Sequence, residues 1–243
     1  MVNKTHGYCV PQDAPLYQRP PCRYTDSRLQ LISFVAANRD ALAALVPAPL
    51  VPNPDGQAAL MVNRLTADVF GTYHEVALLV PSSLNGVEGA FTAYMYLDQD
   101  NPMGAGREIW GFPKKLATIG IEGDGQIATR VERGGSAIIE SVLELGPEIA
   151  PSDVPFNPTF FNLKLVPSVR EGAPPDVMQL TSTVLQDVEI MGARAGGAKV
   201  ELRSTPNDPL GAIAPKEVLG AVEVHTNFTL TFGEVAHDYL REG

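Results

Sequence analysis

Residues 89–98 read GAFTAYMYLD. Phe91, Ala93, Met95 and Leu97 fall at every second position, with Thr92, Tyr94, Tyr96 and Asp98 between them. Successive side chains leave a strand on opposite faces, so a period of two specifies β-structure with two unlike faces. The same reading spreads outward from this stretch. Upstream, residues 28–35, 58–70 and 75–80 read as strands, the last two on either side of Gly71. Downstream, residues 116–122 and 126–132 flank Gly123-Asp124-Gly125, a hairpin turn, and residues 136–145 follow Gly134-Gly135. Residues 160–166, 185–191, 199–203 and 221–232 add strands, and 235–240 closes the chain as a short strand or helical turn. Helix is scarce. Asn38 offers an N-cap to a short helix over 40–46, stopped by Pro47 and Pro49, and 215–219 suits one helical turn. Pro11, Pro15, Pro20 and Pro21 make residues 1–25 an extended arm. These elements predict a single domain over residues 1–243. Its class is α+β, predominantly antiparallel β, with the sheet closed or strongly curved into a barrel or cone and a few short helices.

Composition agrees with short elements joined by turns. The 243 residues include 22 Gly and 21 Pro, with 44% hydrophobic and only 19% charged side chains. Eighteen Lys and Arg against 28 Asp and Glu give a net charge of −10. Phosphate binding needs clustered cations, so a nucleic-acid partner is excluded. No apolar run is long enough to span a bilayer, and Met1 to Asp13 carries no secretory h-region. Cys9 and Cys22 then read as reduced thiols of a cytoplasmic protein. His6, His74, His225 and His237 show no ligand spacing, so no metal is expected. Gly104-Ala105-Gly106 lacks the third glycine of a dinucleotide fingerprint and no βαβ pattern surrounds it. No P-loop is present, and Gly135-Ser136 lacks the glycines of a nucleophile elbow. No cofactor is implied. An anionic substrate would need a local cation, since the global charge does not supply one.

That search leads to residues 107–117, REIWGFPKKLA. Lys114 and Lys115 are adjacent in an otherwise apolar segment after Phe112-Pro113. One reading is a solvated pair beside a turn. The other is an amine nucleophile. A free lysine has a pKa of about 10.4, so only about one in 2,500 is neutral at pH 7, and only the neutral amine attacks a carbonyl. Burial or a neighbouring cation can supply the missing reactivity. If the segment is a strand starting at Pro113, Lys115 points away from Lys114 and burial must do most of the work.

In its sequence context this segment resembles the acetoacetate decarboxylase family, itself the usual illustration of a lysine activated in this way. Asp40-Ala41-Leu42 with Val46-Pro47, Asn85-Gly86-Val87 and Met95-Tyr96-Leu97-Asp98 match the family pattern in order. So do Gly106-Arg107-Glu108, Phe112-Pro113-Lys114-Lys115-Leu116 and Asp238-Tyr239-Leu240, so the similarity runs from residue 20 to 241. The resemblance implies that Lys114 forms a Schiff base, with Lys115 as its neighbour. It puts Arg28 on the family's active-site arginine, orienting the substrate carboxylate or pairing with Glu75. Glu75 falls on an important glutamate, the acid/base. Phe112 and Met95 would line the pocket. A second, less important family glutamate corresponds to Leu60, which is apolar here. Trp110 and His74 read as structural.

The implied function is decarboxylation of a small β-keto acid, acetoacetate to acetone and CO2, by a cytoplasmic carboxy-lyase assembled as a homo-oligomer. Another imine enzyme on the same scaffold, an aldolase-dehydratase joining pyruvate to an aldehyde, competes with it. A non-catalytic β domain binding small acids, with Lys114 as counter-ion, is the third reading.

Overall fold

The computed structural model describes residues 7–241. The first six residues of the predicted arm, His6 among them, lie outside the described residues. In chain order the described residues form β1 (Cys22–Ala36), α1 (Arg39–Ala43), β2 (Val51–Pro52), β3 (Gln57–Ala67), β4 (Gly71–Leu84) and β5 (Val87–Leu97). Next come α2 (Asp100–Ala105), a π-helical turn (Gly106–Trp110), β6 (Lys114–Leu116), β7 (Thr118–Glu122), β8 (Gln126–Arg133) and β9 (Ser136–Glu148). After a 3-10 turn at Pro151–Asp153 follow β10 (Thr159–Val166), β11 (Val177–Val184), β12 (Gln186–Leu202), β13 (Ser204–Thr205) and β14 (Asp208–Pro209). A second 3-10 turn at Leu210–Ile213 leads to β15 (Pro215–Leu230) and β16 (Glu234–Asp238).

Fourteen strands form one sheet, ordered β16-β11-β10-β5-β4-β3-β1-β15-β12-β9-β8-β7, with β2 against β4 and β6 against β5. The pairs β5–β10 and β5–β6 are parallel and the others antiparallel. Ile138, Ile139 and Leu143 of β9 share a buried cluster with Val76 and Leu78 of β4 and Tyr96 of β5. In sheet order β9 stands five places from β4, so one buried cluster joins strands that lie far apart in the sheet. On the other face, Phe228 and Leu230 of β15 join Met95 of β5 and Phe160 of β10. That face holds the site described below.

The stretch at 89–98 is a strand, with one refinement. Leu78 lies opposite Tyr94 while its neighbour Leu79 lies opposite Thr92, so Ala93 is an extra residue, a β-bulge. The bulge flips the facing of everything before it. Phe91 packs with Leu84, Phe161 and Leu180, whereas Met95 and Leu97 enter the cluster around the site. A single apolar stripe in the sequence therefore serves two cores.

Asn38 caps α1 as expected, its Oδ1 accepting from Ala41 N at 3.0 Å, but the helix ends at Ala43. The arm is shorter than predicted, because Cys22 already pairs with Leu230 in the sheet. Residues 185–191 and 199–203 belong to one long strand, β12, which runs through Gly196-Gly197, and β11 was not anticipated. Residues 215–219 are strand, not helix: Pro215 opens β15 opposite Ala36, a position where its missing N–H costs no ladder bond.

Candidate active site

Two rungs of the sheet assemble the site. Leu29, Asn63, Glu75 and Leu97 are consecutive partners across β1, β3, β4 and β5. Leu31, Met61, Ala77, Met95 and Lys114 form the adjacent rung, two residues away along each strand and ending on β6. Positions two apart share a face, so both rows look into the same concavity. Lys114 reaches it because β6 lies parallel to β5, joined through α2 and the π-helical turn. This is a compact strand–helix–strand crossover, contrary to the expectation that none surrounds Gly104-Ala105-Gly106. With Pro102 inside a helix of only six residues, its pattern is too short to register as a helical period.

The crossover shapes the lysine's surroundings. Gly111 has φ +81°, and a Cβ there would fall 2.7 Å from Lys164 Cα of β10. Only glycine satisfies both the left-handed turn and the close approach. Gly106 carries φ −59°, an ordinary helical value, yet a Cβ on it would lie 2.5 Å from Lys114 Cδ. The absent side chain is the space Lys114 occupies. Arg107 Nη1 donates to Lys114 O at 3.1 Å, and Lys114 N donates to Phe112 O at 2.8 Å across Pro113. Lys164 Nζ donates to Ile109 O at 3.3 Å, bracing the π-helical turn from β10. Burial lowers the Lys164 amine below its usual value, with Glu108 opposing.

Lys114 Nζ lies 2.8 Å from Glu75 Oε2, and each side chain is 7% exposed. The rings of Phe112 and Tyr73 sit 5.5 and 5.9 Å from the same nitrogen. Around this pair is a cavity of ≈ 50 Å³. A single water needs about 10–15 Å³, so the space suits a short acid and not a sugar or nucleotide. Phe112 and Met95 line it, as do Met61, Phe160 and Phe228. Its polar lining consists of Lys114, Glu75, Asn63 and the phenols of Tyr24 and Tyr73, whose hydroxyls are 3.2 Å apart. Burial drives both phenols above their ordinary range, so they remain protonated donors. Lys114 is the one cation in this lining.

Lys115 faces the opposite side, as strand alternation requires. Its Nζ is 2.8 Å from Asp208 Oδ1 and donates to Asn207 O at 2.8 Å. Asp208 is buried and also takes Arg133 Nε at 3.0 Å and the Tyr96 hydroxyl at 3.0 Å. The second ammonium is thus committed to a network behind the sheet.

Arg28 is not brought to the cavity. It lies one residue from Leu29, so it leaves the other face of β1, half-exposed, with Nη1 3.5 Å from Glu223 Oε1. Within the chain it pairs with Glu223 and not with Glu75, and it stands on the face of β1 opposite Leu29, away from the cavity lining. Leu60 is fully buried beside Leu78 and Ile32 on the opposite face of the sheet, so its lack of a carboxylate leaves the cavity lining unchanged. Trp110 is core, its Nε1 donating to Thr231 O at 2.8 Å, and His74 pairs with Asp98 away from Glu75. Among the described residues no three His, Cys, Asp or Glu side chains converge on a point. Sequence reasoning missed Asn63, Tyr24, Tyr73 and Gly106. Gly106 stands in the sequence both in the failed dinucleotide fingerprint and in the Gly106-Arg107-Glu108 family match, and neither pattern gives it a place beside Lys114.

The family model described as acetoacetate decarboxylase matches residues 11–240. The chain is 31% identical to the acetoacetate decarboxylase of Paraburkholderia xenovorans (strain LB400), over 97% of this chain and 94% of that one. It superposes on the crystal structure of acetoacetate decarboxylase from Legionella pneumophila with a TM-score of 0.85 at 27% identity, covering 98% of this chain and 95% of that one. The enduracididine biosynthesis enzyme MppR complexed with pyruvate shares the fold, with a TM-score of 0.83 at 20% identity and coverage of 96% and 98%.

Proposed function

The chain belongs to the acetoacetate decarboxylase family, and from that premise we propose that it decarboxylates a small β-keto acid, acetoacetate first, through a Schiff base on Lys114. One observation carries this reading: a lysine and a glutamate 2.8 Å apart, both sealed in an apolar cavity. The pair is neutral overall whichever group holds the shared proton, so it can be buried without an uncompensated charge. Passing that proton to Glu75 frees the amine to attack.

The neutral Lys114 nitrogen forms a bond to the ketone carbon, and the ketone oxygen collects protons through Glu75 and leaves as water. The product is a protonated imine beside the substrate carboxylate. Cleavage of the bond to the carboxylate sends its electron pair into the imine, releasing CO2 and leaving a neutral enamine. A zwitterion thereby becomes two uncharged species. Apolar walls penalise charge, so the cavity favours the forward step. Protonation of the enamine at carbon and hydrolysis of the imine then release the ketone and restore Lys114.

The same accounting bears on the pyruvate aldolase-dehydratase alternative. An enzyme that keeps its substrate's carboxylate through the cycle needs a lasting cation for it. Beyond Lys114 this lining offers none, which supports decarboxylation. Cytoplasmic location and a homo-oligomeric assembly form part of the same proposal. The test is CO2 release from acetoacetate by the full chain and by Lys114→Ala, with borohydride trapping and mass mapping of Lys114. CO2 release that depends on Lys114, with the trapped adduct on that residue, supports the proposal. Pyruvate trapped on Lys114 without CO2 from acetoacetate would establish the aldolase reading instead. An unmodified Lys114 would leave a binding domain.

A further inference from the structure

Imine chemistry requires water twice, leaving as the imine forms and attacking as it is hydrolysed. The cavity walls are mostly hydrocarbon, and a buried water needs two to four polar partners. The bond between the two phenols uses one of their two O–H donors and neither is a base, and Lys114 is consumed as the imine, so water must find its proton acceptors elsewhere. Two polar groups remain, Glu75 and Asn63.

Asn63 is 1% exposed and its Oδ1 has no hydrogen-bond partner. An unsatisfied buried amide destabilises a fold, so its presence in a well-packed sheet calls for an explanation outside the folded chain. Its position provides one. Asn63 and Glu75 are direct antiparallel partners on β3 and β4, both facing the cavity. Such partners carry Cβ atoms about 4.5–5.5 Å apart, close enough for one water to hydrogen-bond to both side chains.

Resting on the Lys114 imine proposed above, we infer that Asn63 and Glu75 together hold the water that hydrolyses it. The water oxygen bonds to the imine carbon while Glu75 takes one of its protons and Asn63 Oδ1 accepts the other O–H. The resulting carbinolamine collapses once Glu75 hands the proton it took to the nitrogen: the hydroxyl proton then passes to the Glu75 carboxylate, the carbon–nitrogen bond breaks with its electron pair going to nitrogen, and the ketone and the neutral Lys114 amine are left. Run backwards, the same site receives the water expelled when the ketone is captured. Asn63 is thus a water-binding residue for imine hydrolysis, in contact with the reacting oxygen.

The inference is tested with full-length wild type, Asn63→Leu and Asn63→Ser. The readouts are rapid-quench CO2 release, exchange of 18O from labelled water into acetone, and thermal melting. In Asn63→Leu the apolar branch removes the acceptor. One equivalent of CO2 per site is expected in a burst, followed by slow turnover. The acetone exchange rate should fall about 10- to 100-fold, the worth of one hydrogen bond in a charged transition state. The melting temperature should hold or rise, because an orphaned oxygen is gone. Asn63→Ser restores an acceptor and should recover exchange. Wild-type exchange without a burst in Asn63→Leu overturns the inference, and so does a lowered melting temperature with equal loss in every step. If wild type forms no borohydride-trappable imine, the reading of Lys114 itself falls, and the water site with it.

Discussion

Replacing Gly106 with alanine adds one methyl group against the shaft of Lys114. An ideal Cβ at position 106 falls 2.5 Å from Lys114 Cδ, 2.6 Å from Cε and 3.2 Å from Nζ. Carbon atoms rest about 3.5–4.0 Å apart, so the side chain must retreat by roughly 1 Å. The backbone raises no objection, since φ −59° and ψ −45° are helical values. At such a position alanine is favoured over glycine by about 0.4–1 kcal/mol, through the unfolded chain. The atoms in the way are the far end of a flexible side chain, so the retreat is cheap in stability and the two effects nearly cancel. Catalysis has no such tolerance. A misplacement of about 1 Å costs on the order of 100-fold in rate, about 2.7 kcal/mol of barrier. Gly106→Ala should therefore melt within a few degrees of wild type while kcat/KM for CO2 release falls about 100-fold. Calorimetry and a steady-state CO2 assay on the same preparation measure both. Activity within a factor of about three of wild type would refute the claim that this glycine sets the amine's position. A chain that no longer folds would refute the claim that Lys114 yields instead of the backbone.

Lys115→Met should leave the pH midpoint of Lys114 imine formation within about half a unit of wild type, since Lys115 is engaged with Asp208 behind the sheet. A larger displacement in borohydride-trapping profiles would mean that the second ammonium tunes the first. Burial pushes the Asp208 carboxyl up, but Lys115, Arg133 and Tyr96 overcome that and hold it below its ordinary value. Its contribution to stability is therefore complete above the unfolded carboxylate pKa of about 3.9 and fades as pH falls through the lower folded value. Asp208→Asn should cost about 1.5–3 kcal/mol at neutral pH and flatten the loss of stability below about pH 4, read from denaturant melts at several pH values. Phe112→Ala removes a 7%-exposed wall of the cavity. It should destabilise the chain by about 3–5 kcal/mol and lower kcat/KM as water gains access to Lys114, both measurable on one sample. Light scattering should give a particle heavier than the 26.0 kDa chain, and a monomeric mass would remove the homo-oligomer from the proposal.

Much of this molecule was legible in its residues because alternation is a local property. Backbone sterics send successive strand side chains to opposite faces whatever the rest of the chain does. The strand at 89–98, the separation of Lys115 from Lys114 and the opposed facing of His74 and Glu75 all follow from that rule. What alternation does not state is which face meets which cavity. Arg28 and Leu29 differ by one position, and the pairing of Leu29 with Asn63 and Asn63 with Glu75 decides that the leucine, not the arginine, looks toward Lys114. The bulge at Ala93 splits one apolar stripe between two cores, a consequence of pairing with Leu78 and Leu79 that no window of β5 contains.

By itself, then, the sequence determined a predominantly antiparallel β chain, a Pro-Lys-Lys segment in an apolar context, and a resemblance to the family to which the chain belongs. Tertiary structure alone decided how near the amine each companion stands. Glu75 stands 39 residues before Lys114 in the chain and 2.8 Å from it in space. Asn63 reads locally as a polar residue next to Arg64, indistinguishable from a solvated position. Register between distant strands turns it inward. Register is set by contacts between residues far apart in the chain, and for that reason the resemblance named Lys114, Glu75, Phe112 and Met95 while Asn63, Tyr24 and Tyr73 stayed hidden.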